Sequence, residues 1–278
     1  MTSRKARVLA SVVGKGGVLK TSSAVSLSGV ILGDKTDGIE NKKVLIIDLD
    51  TQGNCSNAFG QNPDNFEKTI YDVLIGNAKA EEAIVNVFED TDGRIDLLPA
   101  NDDLSMIDMT VLTNLAEYGA PLELLKKTCG HLVDQYDYII FDTPPHTGML
   151  VLNVLSFNVG VEVEILVPFQ PENFGFRALN KIFDQVKMVK ETGNPHLKIG
   201  IVFGTLIDKK TNIHGQVLGV ARSIAESMGY KFANNYIPKT ISAANAYGYN
   251  CLPVTLSQVN QSNKALINAY RKLWEEIR

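Results

Sequence analysis

Cysteine is scarce in this sequence. Cys55, Cys129 and Cys251 stand far apart and in no C-x-x-C pair. That spacing predicts reduced thiols in a cytoplasm rather than a disulfide frame or a zinc site. Long apolar runs are missing too. None approaches the ~20 residues of a membrane helix, and Met1 to Arg7 is polar and basic rather than an export signal. There is no internal repeat and no low-complexity tract, which sets aside solenoids and unfolded tails. What remains is a globular composition, 45% hydrophobic and 21% charged, long enough at 278 residues to bury a substantial core.

Apolar, β-branched runs alternate with helical patterns. Val8–Val13, Val44–Asp48, Ile95–Pro99, Tyr138–Phe141, Val163–Val167 and Ile199–Phe203 are strand candidates. Ser22–Leu32, Leu122–Val133, Phe176–Lys190 and Gly215–Met228 read as helices. Strands apolar throughout, separated by helices, predict an α/β fold: one doubly wound, mostly parallel sheet with helices on both faces. Right-handed crossovers then gather the strand C-termini, and any ligand, along one edge. Asp34–Lys43 and Gln61–Glu67 are polar surface loops rather than linkers, so residues 1–278 are expected to form a single domain.

The chemistry is concentrated at Gly14-Lys15-Gly16-Gly17-Val18-Leu19-Lys20-Thr21. It follows the first strand candidate and opens the first helix. Backbone N–H groups of such a turn, with the positive end of the helix behind them, hold phosphate. Lys20 would reach the β- and γ-phosphates and the Thr21 hydroxyl would bind magnesium. The common pattern G-x-x-x-x-G-K-[ST] wants glycine where this chain has Leu19. The pattern x-K-G-G-x-x-K-[ST] fits at every position, and its extra lysine, Lys15, is not needed to hold one nucleotide.

Two acidic strand ends complete the constellation. Val44 to Asp50 is an apolar strand ending in Asp48 and Asp50, which share a face if the strand stays extended. Tyr138 to Asp142 is a second, followed by Thr143, Pro144 and Pro145. An aspartate at such a place reads as a magnesium-shell carboxylate, and the prolines impose a stiff turn. His146 reads as a loop residue.

Charge is uneven. From Lys198 onward ten Lys/Arg face four Asp/Glu, in a chain whose net charge is −4. A basic C-terminal third in an acidic protein points to an anionic partner surface, or to a solvated basic face. Lys264–Arg278 places Leu266, Ile267, Tyr270, Leu273, Trp274 and Ile277 on one helical face. This is either a terminal helix docked on the core or a membrane-targeting one, and Glu275 and Glu276 disfavour the membrane.

The phosphate-loop pattern is the deviant Walker A motif, and with it the chain resembles the ParA/MinD family of ATPases. Asp48-Leu49-Asp50-Thr51-Gln52-Gly53-Asn54 resembles the ParA segment D-x-D-P-Q-G-N, with Thr51 for proline. Asp142-Thr143-Pro144-Pro145, Val167-Pro168-Phe169-Gln170, Asp208 to Asn212 and Ile237-Pro238-Lys239 are similar to later ParA segments in the same order. The resemblance spans roughly residues 7 to 255. Ser242 departs from the family, many members of which carry arginine there.

The resemblance implies a P-loop ATPase that binds ATP and Mg2+ and forms a sandwich homodimer when ATP-bound. Gly14, Lys15, Gly16, Gly17, Val18, Leu19, Lys20, Thr21 and Ser22 would hold the nucleotide, with Thr205 and Pro238 near the base. Thr21, Asp48 and Asp142 would hold the metal, and Asp50 would orient the attacking water. Lys15 would cross to the partner's nucleotide, so Lys15, Lys20 and Asp50 are the expected catalytic residues. The dimer would bind non-specific double-stranded DNA through Lys209, Lys210, Lys239, Arg271 and Lys272. A ParB-like centromere-binding protein would stimulate a weak intrinsic ATPase and drive plasmid or chromosome partition, in a cytoplasmic, nucleoid-associated protein. MinD-like membrane cycling and the positioning of a non-DNA cargo are the alternatives.

Overall fold

A computed structural model of the chain describes residues 4–172, 175–208, 212–240 and 252–278. Seven strands form one sheet: β1 (Arg7–Ser11), β2 (Lys42–Asp48), β3 (Val85–Asp90), β4 (Gly93–Leu98), β5 (Tyr138–Asp142), β6 (Val163–Phe169) and β7 (Leu197–Gly204). Their order is β3-β4-β2-β5-β1-β6-β7, parallel throughout except for the β3–β4 pair. The described helices are α1 (Lys20–Gly33), α2 (Asn54–Ala58), α3 (Ile70–Leu74), α4 (Ala80–Ala83), α5 (Ile107–Thr113), α6 (Leu115–Tyr118), α7 (Leu124–Cys129), α8 (Met149–Leu155), α9 (Gly175–Thr192), α10 (Asn212–Ser227) and α11 (Lys264–Ile277). The expected doubly wound, mostly parallel sheet is the architecture found.

Both sheet faces are covered, which is why the central strands carry no polar alternation. Val44 and Ile46 of β2 with Tyr138 and Ile140 of β5 pack on the side of α1 and α11, where Leu27, Ile31, Leu266 and Leu273 are also buried. Leu45, Ile47, Ile139 and Phe141 pack on the opposite side with Val154, Leu179 and Phe183. This parity fixes the polar ends of the strands. Asp48, Asp142 and Ser11 fall on the α1 side, level with one another across β2, β5 and β1.

Two features differ from the expectation. The edge strand β3 pairs antiparallel with β4 through a tight hairpin; its half-exposed, charged residues hide it among loop-like sequence. Leu122–Val133 is not one helix but the short α7 between 3-10 turns at Pro121–Glu123 and Gly130–Asp134. At Gly130 the chain passes close to its neighbour: a Cβ there would lie 3.0 Å from Val159 Cγ1.

The terminal helix docks on the core. Leu266, Ile267, Tyr270, Leu273, Trp274 and Ile277 are all buried, so this face is used in packing. No helix among the described residues is long and apolar enough to cross a membrane. Trp274 stacks edge-on against Tyr138 with ring centroids 5.9 Å apart, and its Nε1 donates to Asp34 Oδ2 at 2.7 Å. Burial pushes the Asp34 carboxyl up, but N–H donors of Thr36 and Trp274 and the nearby Arg278 outweigh it and hold it at about 2. Replacing Asp34 with Ala leaves the indole N–H unpaired and is expected to destabilise the fold by about 1–3 kcal/mol. The lone tryptophan makes urea unfolding followed by fluorescence the direct check. Because the folded-state carboxyl lies below its ordinary value of 3.8, this contribution is present above that value and is lost as pH falls through about 2.

Candidate functional site

β1 ends at Ser11 and the chain runs through the glycine-rich turn into α1. Gly14, Gly16 and Gly17 are exposed, Lys15, Thr21 and Ser22 half-buried, and Val18 and Lys20 buried. Gly17 has φ 72° and Leu19, the residue before α1, has φ 66°. The position where the common motif places glycine therefore keeps a left-handed backbone. A leucine there is held against its intrinsic preference, with its side chain resting on the α1-side core. Val18 is buried in the opposite core. The loop is thus pinned on both sides before the helix begins.

The Thr21 hydroxyl donates to Asp142 Oδ2 at 2.5 Å, joining the start of α1 to the end of β5. Asp142 is fully buried and its other oxygen, Oδ1, has no hydrogen-bond partner among the described residues. Burial raises the Asp142 carboxyl to about 6, against the opposing pull of Thr21 and Lys20. Asp48 is also fully buried; burial and the neighbouring Asp142 push it well above the ordinary carboxylate range. Two buried carboxylates side by side with one oxygen unpaired form a site that a cation would stabilise. Lys20 Nζ donates to the Lys15 carbonyl at 3.0 Å. Its desolvation lowers its proton affinity, while Asp142 and Asp50 counter that effect.

Asp50 does not continue the strand. β2 stops at Asp48, the chain turns, and the Asp50 N–H donates to Asp48 Oδ1 at 3.0 Å. The strand does not stay extended, so Asp48 and Asp50 take different places. Asp48 lies inside, whereas Asp50 lines a cavity of about 310 Å³ with Gly16, Gly17, Leu19, Lys20, Thr21, Ser22, Asn54 and Pro145. The turn depends on Gly53, which has φ +57° and no room for a side chain: a Cβ would sit 2.5 Å from Pro63 Cβ and 2.9 Å from the Ala100 carbonyl oxygen.

Other expected residues lie apart from this cavity. Thr205 is fully buried and Pro238 half-buried beyond β7, and neither lines the cavity. Lys239 is exposed on the same loop. Arg271 and Lys272 are exposed on α11, and Arg271 shares a groove with Asp34, Asp90 and Asp92. Lys209 and Lys210 lie outside the described residues, as does Ser242.

Two site residues, Glu172 and Cys55, were not singled out from the sequence. Glu172 holds Lys15 in an ion pair of 2.7 Å, and that contact keeps its carboxyl low. The Cys55 thiol approaches Asp142 Oδ2 at 3.5 Å. Glu172 and Cys55 each follow an identified motif by one or two residues, but only the fold shows which way they turn. Gly53→Ala is expected to cost about 1–3 kcal/mol and to misplace Asp50; urea unfolding and ATP affinity measured on the same protein check both effects.

A family model described as an AAA domain matches residues 6–199. The "ParA family protein" of Mycoplasma pneumoniae is 30% identical over 97% of this chain and 96% of its own. The "Chromosome-partitioning ATPase Soj" of Treponema pallidum is 30% identical over 95% of this chain and 93% of its own. The crystal structure of cobyrinic acid a,c-diamide synthase from Mycobacterium smegmatis with bound ATP analog and magnesium is 28% identical, covers 97% of this chain and 93% of its own, and superposes with a TM-score of 0.75. Motif, fold and relatives coincide over nearly the whole sequence, and the chain belongs to the ParA family of partition ATPases.

Proposed function

We propose that the chain binds ATP with Mg2+ at the phosphate loop, hydrolyses it slowly, and works as a DNA-partition switch. The observation that carries this reading is the Thr21–Asp142 contact at 2.5 Å beside the unpaired Asp142 Oδ1. A hydroxyl and a buried carboxylate oxygen meet at the foot of a phosphate loop, the donor set that magnesium takes. The bound ATP analog and magnesium of the M. smegmatis structure, at 28% identity, support the same ligands here.

In this reading Thr21, Asp48 and Asp142 hold the ion, which when bound offsets phosphate charge. The backbone from Gly14 to Ser22 and the Lys20 ammonium hold the phosphates. Asp50, at the rim of the cavity, orients a water and takes up its proton. Thr205, just after β7, and Pro238, after α10, are the proposed contacts to the base. Lys15 exchanges Glu172 for phosphate on a second copy of the chain, so that ATP and a homodimer support each other. An exposed ion pair is worth about 0–1 kcal/mol, so Glu172 is readily displaced. The partition names of the relatives and the basic C-terminal third support non-specific double-stranded DNA as the surface and a ParB-like protein as the stimulator, with the protein held at the nucleoid. Lys239, Arg271 and Lys272 are the described candidates for phosphate contacts, together with Lys209 and Lys210.

Binding to random-sequence duplex DNA, compared with ATP, with ADP and without nucleotide at stated salt, tests this reading. Binding only with ATP that weakens steeply with salt is expected; equal binding in all three states contradicts it. Lys15→Ala is expected to keep ATP binding and lose the ATP-dependent dimer in light scattering, and normal dimerisation by that variant removes the cross-subunit role.

A further inference from the structure

Cys55 is the feature that a magnesium site leaves unexplained. Its thiol, a carboxylate oxygen of Asp48 and one of Asp142 lie within 4.8 Å of one another. All three residues are fully buried. Asp48 is already oriented, its Oδ1 accepting from the Asp50 N–H at 3.0 Å and its Oδ2 from the Cys55 N–H at 3.2 Å. Asp142 Oδ2 accepts from Thr21 and faces the thiol, and Asp142 Oδ1 has no partner among the described residues. The spacing of cysteines in the sequence contains no zinc pattern; the fold builds a mixed S/O donor set from three separate segments.

Magnesium does not use the sulfur. It is hard, takes near-octahedral oxygen ligands and keeps its waters. A thiolate with two carboxylates matches a softer divalent ion such as Zn2+, which accepts sulfur and oxygen in a tetrahedral shell and leaves a fourth position open. Zinc bonds of ~2.3 Å to sulfur and ~2.0–2.2 Å to oxygen place neighbouring donors roughly 3.5 Å apart, so a small contraction closes the site. Thr21, which contacts Asp142, lines the neighbouring cavity together with Asp50 and Asn54.

We propose that the nucleotide-free protein binds a thiophilic divalent cation of the zinc class through Cys55, Asp48 and Asp142. Binding releases the thiol proton to solvent and forms the metal–sulfur bond. Because Asp48 and Asp142 serve both ions, zinc and magnesium nucleotide exclude each other, and zinc holds the protein in the nucleotide-free state. The exclusion rests on the function proposed above; the binding itself does not.

The test is a Co2+ titration of the full chain without nucleotide, in a non-thiol reductant. A thiolate-to-cobalt charge-transfer band that Zn2+ removes is expected. Cys55→Ser and Cys55→Ala lose it, with circular dichroism confirming that they are folded, while Cys129→Ser and Cys251→Ser keep it. No band in the wild-type protein, or a band that survives Cys55→Ser, overturns the site. Adding ATP with Mg2+ is expected to bleach the band. A band that persists while a fluorescent ATP analogue is bound overturns the sharing of Asp48 and Asp142. Absence of any nucleotide binding, with the band intact, strikes the functional reading and leaves the zinc site supported.

Discussion

The contact between the Thr21 hydroxyl and Asp142 is the constraint on which the rest of the structure turns. It ties the first turn of α1 to the end of a central strand. The parity of β2 and β5 sends Asp48 and Asp142 to the side of the sheet that α1 covers, so two carboxylates are buried together where their charges repel. Such an arrangement is costly for a stable core and useful for a cation site. The α1-side core, sealed at its far end by α11 and Trp274, keeps the helix seated while the loop before it stays open to solvent.

Much of this was legible in the sequence. The phosphate loop, the two strands ending in Asp48 and Asp142, and the parallel sheet are encoded in contiguous runs whose apolar content has one physical reading: strands buried on both faces. The edge strand β3 was hidden because a half-exposed strand with charged residues has neither a continuous apolar run nor a clean alternation. The segment around Gly130 reads as helix by periodicity, yet it forms the short α7 between two 3-10 turns, a difference in hydrogen bonding that periodicity does not resolve. Asp48 and Asp50 share a face only on an extended strand; β2 ends at Asp48, and Asp50 lies at the rim of the cavity.

The site residues that sequence reasoning missed share one cause. Glu172 and Cys55 follow recognisable motifs, but their chemistry lies in what they face after the chain turns. Lys15 illustrates the consequence. Its ammonium is not left bare; Glu172 occupies it at 2.7 Å. A phosphate that takes the lysine must displace a carboxylate of the same sign, an exchange of like for like that costs little at a half-exposed position. The basic character of the C-terminal third is real in composition, yet Arg271 lies in a groove with Asp34, Asp90 and Asp92, so sequence totals say less about a binding face than local grouping does.

The most direct measurement of the central claim is calorimetric titration of ATP, with and without magnesium, into the wild-type protein and into Asp142→Asn and Lys20→Ala. The account predicts that magnesium strengthens ATP binding in the wild-type protein, that Asp142→Asn removes the magnesium dependence, and that Lys20→Ala abolishes binding. An Asp142→Asn protein with undiminished magnesium dependence, or a Lys20→Ala protein with unchanged ATP affinity, would contradict it.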